Sequence, residues 1–100
     1  MSAQIRQLEP GILALAGELN YQTGPALRSS GRRLIRAEQG ALVRLDCTGV
    51  QQSSSVGLSL LLCFMRDAHA CGKRLEVAGM PSEMQQIAAV SGLEQLLGHE

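Results

Sequence analysis

The sequence predicts a small α/β domain in which helices pack on a mixed β-sheet. The chain has 100 residues, of which 45% are hydrophobic, and this length suits one domain that buries its own core. Apolar strand patterns alternate with amphipathic helical patterns along the chain. Residues 41–79 read strand, helix, strand, which favours a right-handed crossover between parallel strands. We therefore expect one domain over residues 1–100.

The N-terminal region contains two predicted strands. The segment ILALAGEL, residues 12–19, is compact and apolar and ends in polar residues, as expected of a buried strand. Residues 4–8 precede it as a short edge strand. Gly11 separates the two segments and predicts a turn between them.

A helix is predicted over residues 23–40. Thr23 is a candidate N-cap, and Pro25 fits the first turn because its missing N–H would be unpaired there anyway. Gly40 is a natural stop. One face of the helix groups apolar side chains, and small residues beside that face predict close packing on the sheet. These residues are Leu27, Leu34 and Ile35, with Ser30 and Gly31 beside them.

The central region contains two more strands and a second helix. Residues 41–47 have the pattern of a strand with Arg44 as its polar exception, and residues 73–79 alternate apolar and charged side chains, as strands do. Between them, residues 55–71 have the pattern of a helix. Its predicted sheet-facing side chains are Leu58, Leu61, Leu62, Met65 and Ala68.

A last helix is predicted to begin at Pro81, which fits the first helical position. Its apolar face consists of Met84, Ile87 and Ala88. Gly92 is a suitable residue just beyond the helix end, after which Leu93 is expected to fold back on the last turn. The tail, residues 98–100, is expected to be loose.

Charge and aromatic content argue against nucleic-acid binding. Nine basic residues balance nine acidic ones, so the chain lacks a strongly basic field. One Tyr, one Phe and no Trp leave few faces on which bases could stack.

The first ten residues do not resemble a signal peptide, and the longest apolar stretch, Val56 to Met65, is too short to span a bilayer. The expectation is a soluble cytoplasmic protein.

The cysteines and histidines do not form a recognisable metal site. Cys47, Cys63 and Cys71 are odd in number and contain no CxxC pair, so we interpret them as reduced thiols that act as small apolar side chains. His69 and Cys71 alone are too few for a zinc site. No metal and no cofactor are therefore predicted.

No catalytic residues are predicted either. Glu18 and Asp46 stand near strand ends, where solvated carboxylates are common. His69 follows Ser55 by about four helical turns, roughly 20 Å, which is too far for a Ser–His pair. The chain has no GxSxG, GxGxxG or GxxxxGK[ST] segment.

Four arginines cluster on the first predicted helix. Arg28, Arg32 and Arg36 are four residues apart, and Arg33 lies beside them. Such a stripe is usually a solvated face. An acidic partner surface or anionic lipid headgroups are the functional alternatives.

The segment SSSVGLSLLL joins the second predicted helix to the strand before it. Ser54 or Ser55 can cap this helix, because their hydroxyls can accept bonds from free backbone N–H groups. The side of the helix opposite the sheet is unusually apolar at its N-terminal end, which indicates either a docking surface or a face covered by the chain's own tail or last helix. The residues on this side are Val56, Ser59, Leu60, Cys63, Arg66, Asp67 and Ala70.

The same segment resembles the signature of STAS domains, the class typified by anti-sigma-factor antagonists. The matching residues are Asp46, Thr48, Gly49, Val50, Ser55, Gly57 and Leu58. LALAGELN is similar to an early strand end of the family, with Asn20 in place of the usual Asp, and VSGLEQLL is similar to the family's ending. The resemblance covers nearly the whole chain. It implies a single STAS domain with a mixed sheet of four to five strands and about three helices.

The resemblance also assigns roles to the serines. The family's phospho-acceptor hydroxyl corresponds to Ser55, but the acidic residue before it is replaced by Ser54, and the serine after it by Val56. Ser55 is therefore expected to be chiefly a contact residue. The partner-binding residues are expected to be Ser53, Ser54, Ser55, Val56, Ser59, Leu60 and Cys63.

Within the family, the chain is most similar to small STAS subunits of an ABC complex that moves phospholipid between the two membranes of Gram-negative bacteria. This resemblance implies a non-catalytic cytoplasmic subunit, peripheral on the inner membrane, that binds the ABC ATPase in a complex with permease and periplasmic lipid-binding subunits. The complex maintains outer-membrane lipid asymmetry. The alternative is an anti-sigma-factor antagonist that is switched by phosphorylation at Ser55.

Overall fold

The computed structural model describes residues 3–92, which form four strands and three helices. In chain order the elements are β1 (Gln4–Glu9), β2 (Ile12–Leu19), α1 (Gly24–Ala37), β3 (Leu42–Ser53), α2 (Ser55–Ala70), β4 (Arg74–Ala78) and α3 (Ser82–Val90). The predicted α/β class is confirmed, and each predicted element is present. No helix within the described range combines the length and apolar character needed to cross a membrane.

The sheet is mixed and its strands lie in chain order, β1-β2-β3-β4. β1 pairs with β2 antiparallel, whereas β2–β3 and β3–β4 are parallel pairs. The parallel pairing of β3 and β4 is the crossover that the sequence predicts. Leu45 of β3 aligns with Leu13 of β2 and Val77 of β4, so apolar side chains form rows across the sheet.

One sheet face is buried beneath the helices, and the other carries polar side chains. Leu13, Leu15, Val43 and Leu45 are at most 1% exposed. Arg44, the polar exception of its strand, is exposed and lies 3.3 Å from a Glu76 carboxylate oxygen. This alternation is the period of two expected when only one face packs on a core.

Helix α2 lies at the centre of the helical layer. Of its predicted inward residues, Leu58, Leu61 and Ala68 are buried, and Leu62 and Met65 are half-buried. Phe64, which the helical-wheel grouping does not place on the inner face, is fully buried. It is buried because α1 packs against α2 as well as against the sheet.

The small residues of α1 allow a close approach to α2. Leu27 and Ile35 are buried and Leu34 is half-buried, as predicted. Gly31, however, packs on α2 rather than on the sheet, and a Cβ added at Gly31 would overlap the ring of Phe64. The small residue is therefore needed for close packing, as predicted, but it packs against a helix instead of the sheet.

The predicted N-cap position of α1 is confirmed, but the Thr23 side chain does not cap the helix. Thr23 occupies the cap position with helical dihedral angles and makes no side-chain capping bond. Its hydroxyl donates instead to the Glu18 carbonyl, at 2.8 Å. The Asn20 side chain takes over the local role, since its Oδ1 accepts from the backbone N–H groups of Gln22 and Thr23.

Helix α1 ends at Ala37, before the predicted stop at Gly40. The Lys73 ammonium donates to the carbonyls of Ile35, Arg36 and Glu38 at the end of the helix, where the negative end of the helix dipole favours a cation. The Glu38 carboxylate accepts from the Gly11 N–H at 2.7 Å and from Gln7 Nε2 at 2.8 Å. A lysine and a glutamate far apart in sequence therefore fix the end of the helix.

The other boundaries follow the sequence with two differences. β3 continues past Cys47 to Ser53, because its polar second half still pairs with β2. Pro81 is the N-cap of α3 rather than its first helical residue. Gly92 has a φ of +73°, which fits its predicted place beyond the helix end. The expected return of Leu93 and the loose tail lie outside the described residues.

Candidate docking site

The three serines stand where β3 passes into α2, at the carboxyl edge of the parallel strands. Ser53 ends β3 and is paired in register with Leu19, the last residue of β2. Ser54 is the N-cap of α2: its Oγ accepts from the Val56 N–H at 3.1 Å and lies 3.4 Å from the Leu19 carbonyl. Of the two serines that could cap the helix, Ser54 does so.

Ser53 closes the junction over a glycine. Its hydroxyl donates to the Ser54 carbonyl at 2.9 Å. A Cβ at Gly57 would collide with the Ser53 hydroxyl and would lie 3.2 Å from Leu19 Cδ1. Glycine at this position therefore allows the first turn of α2 to fit beneath the end of β3.

Ser55 differs from its two neighbours. It is the first residue of α2, its side chain is exposed, and it makes no side-chain hydrogen bond to any residue from 3 to 92. The hydroxyl is therefore available to an outside group. The residues on either side of it line two separate depressions.

The first depression, which we call the docking groove, lies between the N-terminal ends of α1 and α2 and has a volume of about 300 Å³. It is lined by Tyr21, Gly24, Pro25, Arg28, Val56, Ser59, Leu60 and Cys63. Its surface is almost entirely apolar, and Tyr21 at its rim is 77% exposed. No sequence pattern connects Tyr21 or Pro25 with this site, because they come from the loop and helix before β3.

The groove corrects the predicted outer face of α2. Leu60 is only 5% exposed and belongs to the core, so it does not project from a free surface. Helix α1 covers part of this face, since a Cβ at Gly24 would lie 3.4 Å from Val56 Cγ1. The tail, which the sequence offers as another cover, lies outside the described residues. Val56 and Cys63 are half-buried and Ser59 is exposed, so these three remain accessible along the groove.

The second depression, the acidic pocket, adjoins Ser54 and has a volume of about 260 Å³. It is lined by Glu18, Leu19, Asn20, Gln52, Ser53, Ser54 and Glu83. Neither Glu18 nor Glu83 forms an ion pair with the part of the chain that the structure describes. Glu83 lies in the first turn of α3, where the helix N-terminus stabilises its charge.

The arginine stripe divides into two parts. Arg28 forms a 3.0 Å ion pair with Asp67, which is 9% exposed, and so links α1 to α2. Arg28 Nε and Asp67 Oδ2 are buried without a hydrogen-bond partner among the described residues. Arg32, Arg33 and Arg36 are exposed. Arg28 therefore has a structural role that the spacing of the arginines does not reveal.

The structure shows the surroundings of the carboxylates and cysteines that the sequence singles out. Asp46 accepts a 2.9 Å hydrogen bond from the Thr48 N–H, and Glu18 lines the acidic pocket. Burial, and secondarily the charge of Asp46, raises the pKa of the Cys47 thiol to about 12. Cys63 is half-buried, Cys71 is exposed, and all three thiols are free. Residues 3–92 contain no cluster of three or more potential metal ligands.

A family model described as "Mlab, STAS domain" matches residues 2–98. No curated protein sequence matches the chain.

Solved structures of similar fold include two anti-sigma factor antagonists and the STAS domain of a transporter. An anti-sigma factor antagonist from Mycobacterium paratuberculosis has a TM-score of 0.74 and 20% identity, covering 98% of this chain and 83% of that one. The Bacillus cell fate determinant SpoIIAA, in its phosphorylated form, has a TM-score of 0.65 and 20% identity, with coverage of 92% and 85%. The STAS domain of a SulP transporter from Vibrio cholerae has a TM-score of 0.62 and 18% identity, with coverage of 94% and 77%. At these identities the likeness shows the fold.

Proposed function

The chain belongs to the Mlab STAS-domain family, and we propose that it is the non-catalytic subunit that binds and supports the ATPase of a phospholipid-transporting ABC complex. In this role it resembles MlaB, and its partner resembles the ATPase MlaF. The complex, with its permease and periplasmic lipid-binding subunits, moves phospholipids between the inner and outer membranes and maintains outer-membrane lipid asymmetry. The subunit sits on the cytoplasmic side of the inner membrane through this complex.

The observation that carries the proposal is the exposed Ser55 hydroxyl, which makes no hydrogen bond to the described residues. The hydroxyls of Ser53 and Ser54 are both hydrogen-bonded within the fold, whereas the exposed Ser55, between the docking groove and the acidic pocket, makes no side-chain hydrogen bond to residues 3–92. Such a hydroxyl beside an apolar depression suits a contact with another protein. Covering the depression removes apolar surface from water, and the hydroxyl can form a directional hydrogen bond with the partner.

The arrangement also supports a binding role over a catalytic one. His69 lies in the last turn of α2 and Ser55 in the first, roughly 20 Å apart along the helix axis. Among residues 3–92, Ser55 therefore has no imidazole within reach to accept its proton. The family resemblance points the same way, since STAS domains act through contacts with other proteins.

The proposal is tested by co-expressing the chain with the tagged ATPase encoded beside it. The ATPase should capture the wild-type chain in stoichiometric amounts. Ser59→Arg places a long charged side chain on the rim of the docking groove and should abolish capture while the domain stays folded. Ser59 is the suitable position because it is exposed, whereas a charge at the buried Leu60 would unfold the domain. Undiminished capture of Ser59→Arg would remove the groove from the interface.

The second candidate is an anti-sigma-factor antagonist switched by phosphorylation. The exposure of Ser55 and the likeness to SpoIIAA in its phosphorylated form favour it. Against it stand the loss of the acidic residue before Ser55 and the carboxylates of the acidic pocket, which would repel a phosphate. Incubation with the cognate kinase and ATP, followed by mass spectrometry, separates the two. Stoichiometric phosphate on Ser55, or genes for a sigma factor and a kinase beside this one, would favour the switch.

A further inference from the structure

We infer that the ATPase surface facing Ser55 presents an apolar side chain to the docking groove and, close to it, a Lys or Arg to the acidic pocket. This inference rests on the proposed function and adds the chemistry of the partner. It follows from three features of the described residues: the apolar character of the groove, the unpaired carboxylates of the pocket, and the short distance between the two depressions.

The docking groove fits an apolar side chain. Its walls are carbon surface from Tyr21, Pro25 and Val56, and its only charged lining residue, Arg28, is already paired with Asp67. A charged partner residue placed here would lose water and gain no counter-ion. An aliphatic or aromatic side chain would instead remove the exposed tyrosine ring and the groove wall from water.

The acidic pocket fits a cation. Glu18 and Glu83 both line it, and neither forms an ion pair with the described part of the chain. A partner that covered the pocket without a positive charge would leave its two carboxylates desolvated and without a counter-ion, which is unfavourable. A Lys or Arg would offset one of the two negative charges, and the carbonyl and hydroxyl oxygens around the pocket could accept hydrogen bonds from its remaining N–H groups.

The two depressions are close enough for one partner segment to fill both. Ser54 lines the pocket and Val56 lines the groove, and they are separated only by Ser55. Likewise Asn20 lines the pocket and Tyr21, the next residue, lines the groove. Residues two apart on a chain lie within about 7.6 Å of each other at the Cα atoms. Side chains three or four apart on a helix have a similar separation, about 5–6 Å, so one helix could carry both groups.

Binding of the purified chain to the purified ATPase, measured as Kd at 50 mM and 300 mM salt, tests the inference. Glu18→Gln with Glu83→Gln should weaken binding at least tenfold at 50 mM salt and should flatten the salt dependence. Tyr21→Ala should weaken binding to a similar extent at both salt concentrations, because the groove contact is apolar. Glu9→Gln, at an exposed carboxylate at the end of β1, is the matched control and should bind as wild type.

The outcomes separate this inference from the proposed function. If wild type binds and Ser55→Asp does not, but the double Gln variant binds as wild type at both salt concentrations, the inference is wrong and the docking role stands. If the wild-type chain does not bind the ATPase, both are wrong. Thermal unfolding of each variant excludes loss of the fold, and the chosen side chains of Tyr21 and Glu83 are exposed.

Discussion

Three consecutive serines have three different roles in this domain. Ser53 closes over Gly57, Ser54 caps α2, and Ser55 points to solvent. The cap could be predicted from sequence as one of two residues, because any hydroxyl at a helix start can accept a backbone N–H. The sequence does not predict which serine remains available for contact, because this depends on which residue is the first of the helix.

Cys47 illustrates a residue whose chemistry is set by burial. In the unfolded chain its thiol has an ordinary pKa of 9.0, while in the fold burial, and then Asp46, raises the pKa to about 12. The folded thiol therefore keeps a proton that the unfolded chain releases above pH 9. The stability contributed by this protonated thiol is complete below pH 9 and is lost as the pH rises toward 12.

Replacing Cys47 by alanine removes this titration. We expect the stability difference between wild type and Cys47→Ala to shrink by about 2 kcal/mol between pH 8 and pH 10.5, in urea unfolding under reducing conditions. Taking the difference between the two proteins cancels the contributions that other titrating groups make to the pH dependence of stability in this range. Parallel pH profiles would contradict the assigned burial of the thiol. Cys71→Ala, at an exposed thiol, should leave the profile unchanged.

At the scale of elements, the sequence predicts each helix and strand but not which helix covers which face. The period of α2 separates inner from outer residues correctly near Leu58 and Leu61, yet it assigns the buried Leu60 to the outside. Periodicity gives an angle around the helix axis, whereas burial also depends on the neighbours. Two successive parallel crossovers place α1 beside α2, and that arrangement arises only from the pairing of three strands.

The junction of β3 with α2 supplies a prediction at this scale. Gly57→Ala would force a Cβ against the Ser53 hydroxyl and toward Leu19, so we expect a loss of about 1–3 kcal/mol in the free energy of unfolding. Alanine ordinarily favours a helix over glycine by up to about 1 kcal/mol, so the expected sign is opposite to the intrinsic preference. Urea denaturation measures it.

A second variant shows whether the contact with Ser53 is the cause. Ser53→Ala removes the hydroxyl that the new methyl group would meet, so adding it to Gly57→Ala should recover a large part of the lost stability. Double-mutant cycles of this kind isolate the interaction between neighbouring residues. A Gly57→Ala protein as stable as wild type would show that the junction is not tightly packed.

At the scale of the whole molecule, the two ends of the sheet have different roles. The end near α1's last turn is held by Lys73 and Glu38, whose hydrogen bonds join the β1–β2 turn, α1 and the segment before β4. The opposite end, at the carboxyl edge of the parallel strands, carries Ser55 and both depressions. Open α/β sheets commonly place their sites at this edge. Local patterns predict neither Lys73 nor Glu38, since each acts over a long sequence separation.

Only the part of the candidate site that comes from one continuous stretch of chain could be predicted from the sequence. The signature segment supplies Ser55, Val56, Ser59 and Cys63 from one stretch of chain. The opposite wall, with Tyr21, comes from the loop after β2, and no local pattern indicates that the two segments meet. The resemblance to STAS domains implied a mixed sheet with about three helices, but not that the loop after β2 meets the signature segment.

The central claim is that Ser55 is a contact point for the ATPase, and the affinity of the purified chain for that ATPase tests it most directly. We predict that wild type binds, that Ser55→Asp weakens binding at least tenfold because it adds a charge between an apolar groove and two carboxylates, and that Ser29→Asp, at an exposed serine of α1, binds as wild type. Equal affinity of Ser55→Asp and wild type would contradict the account.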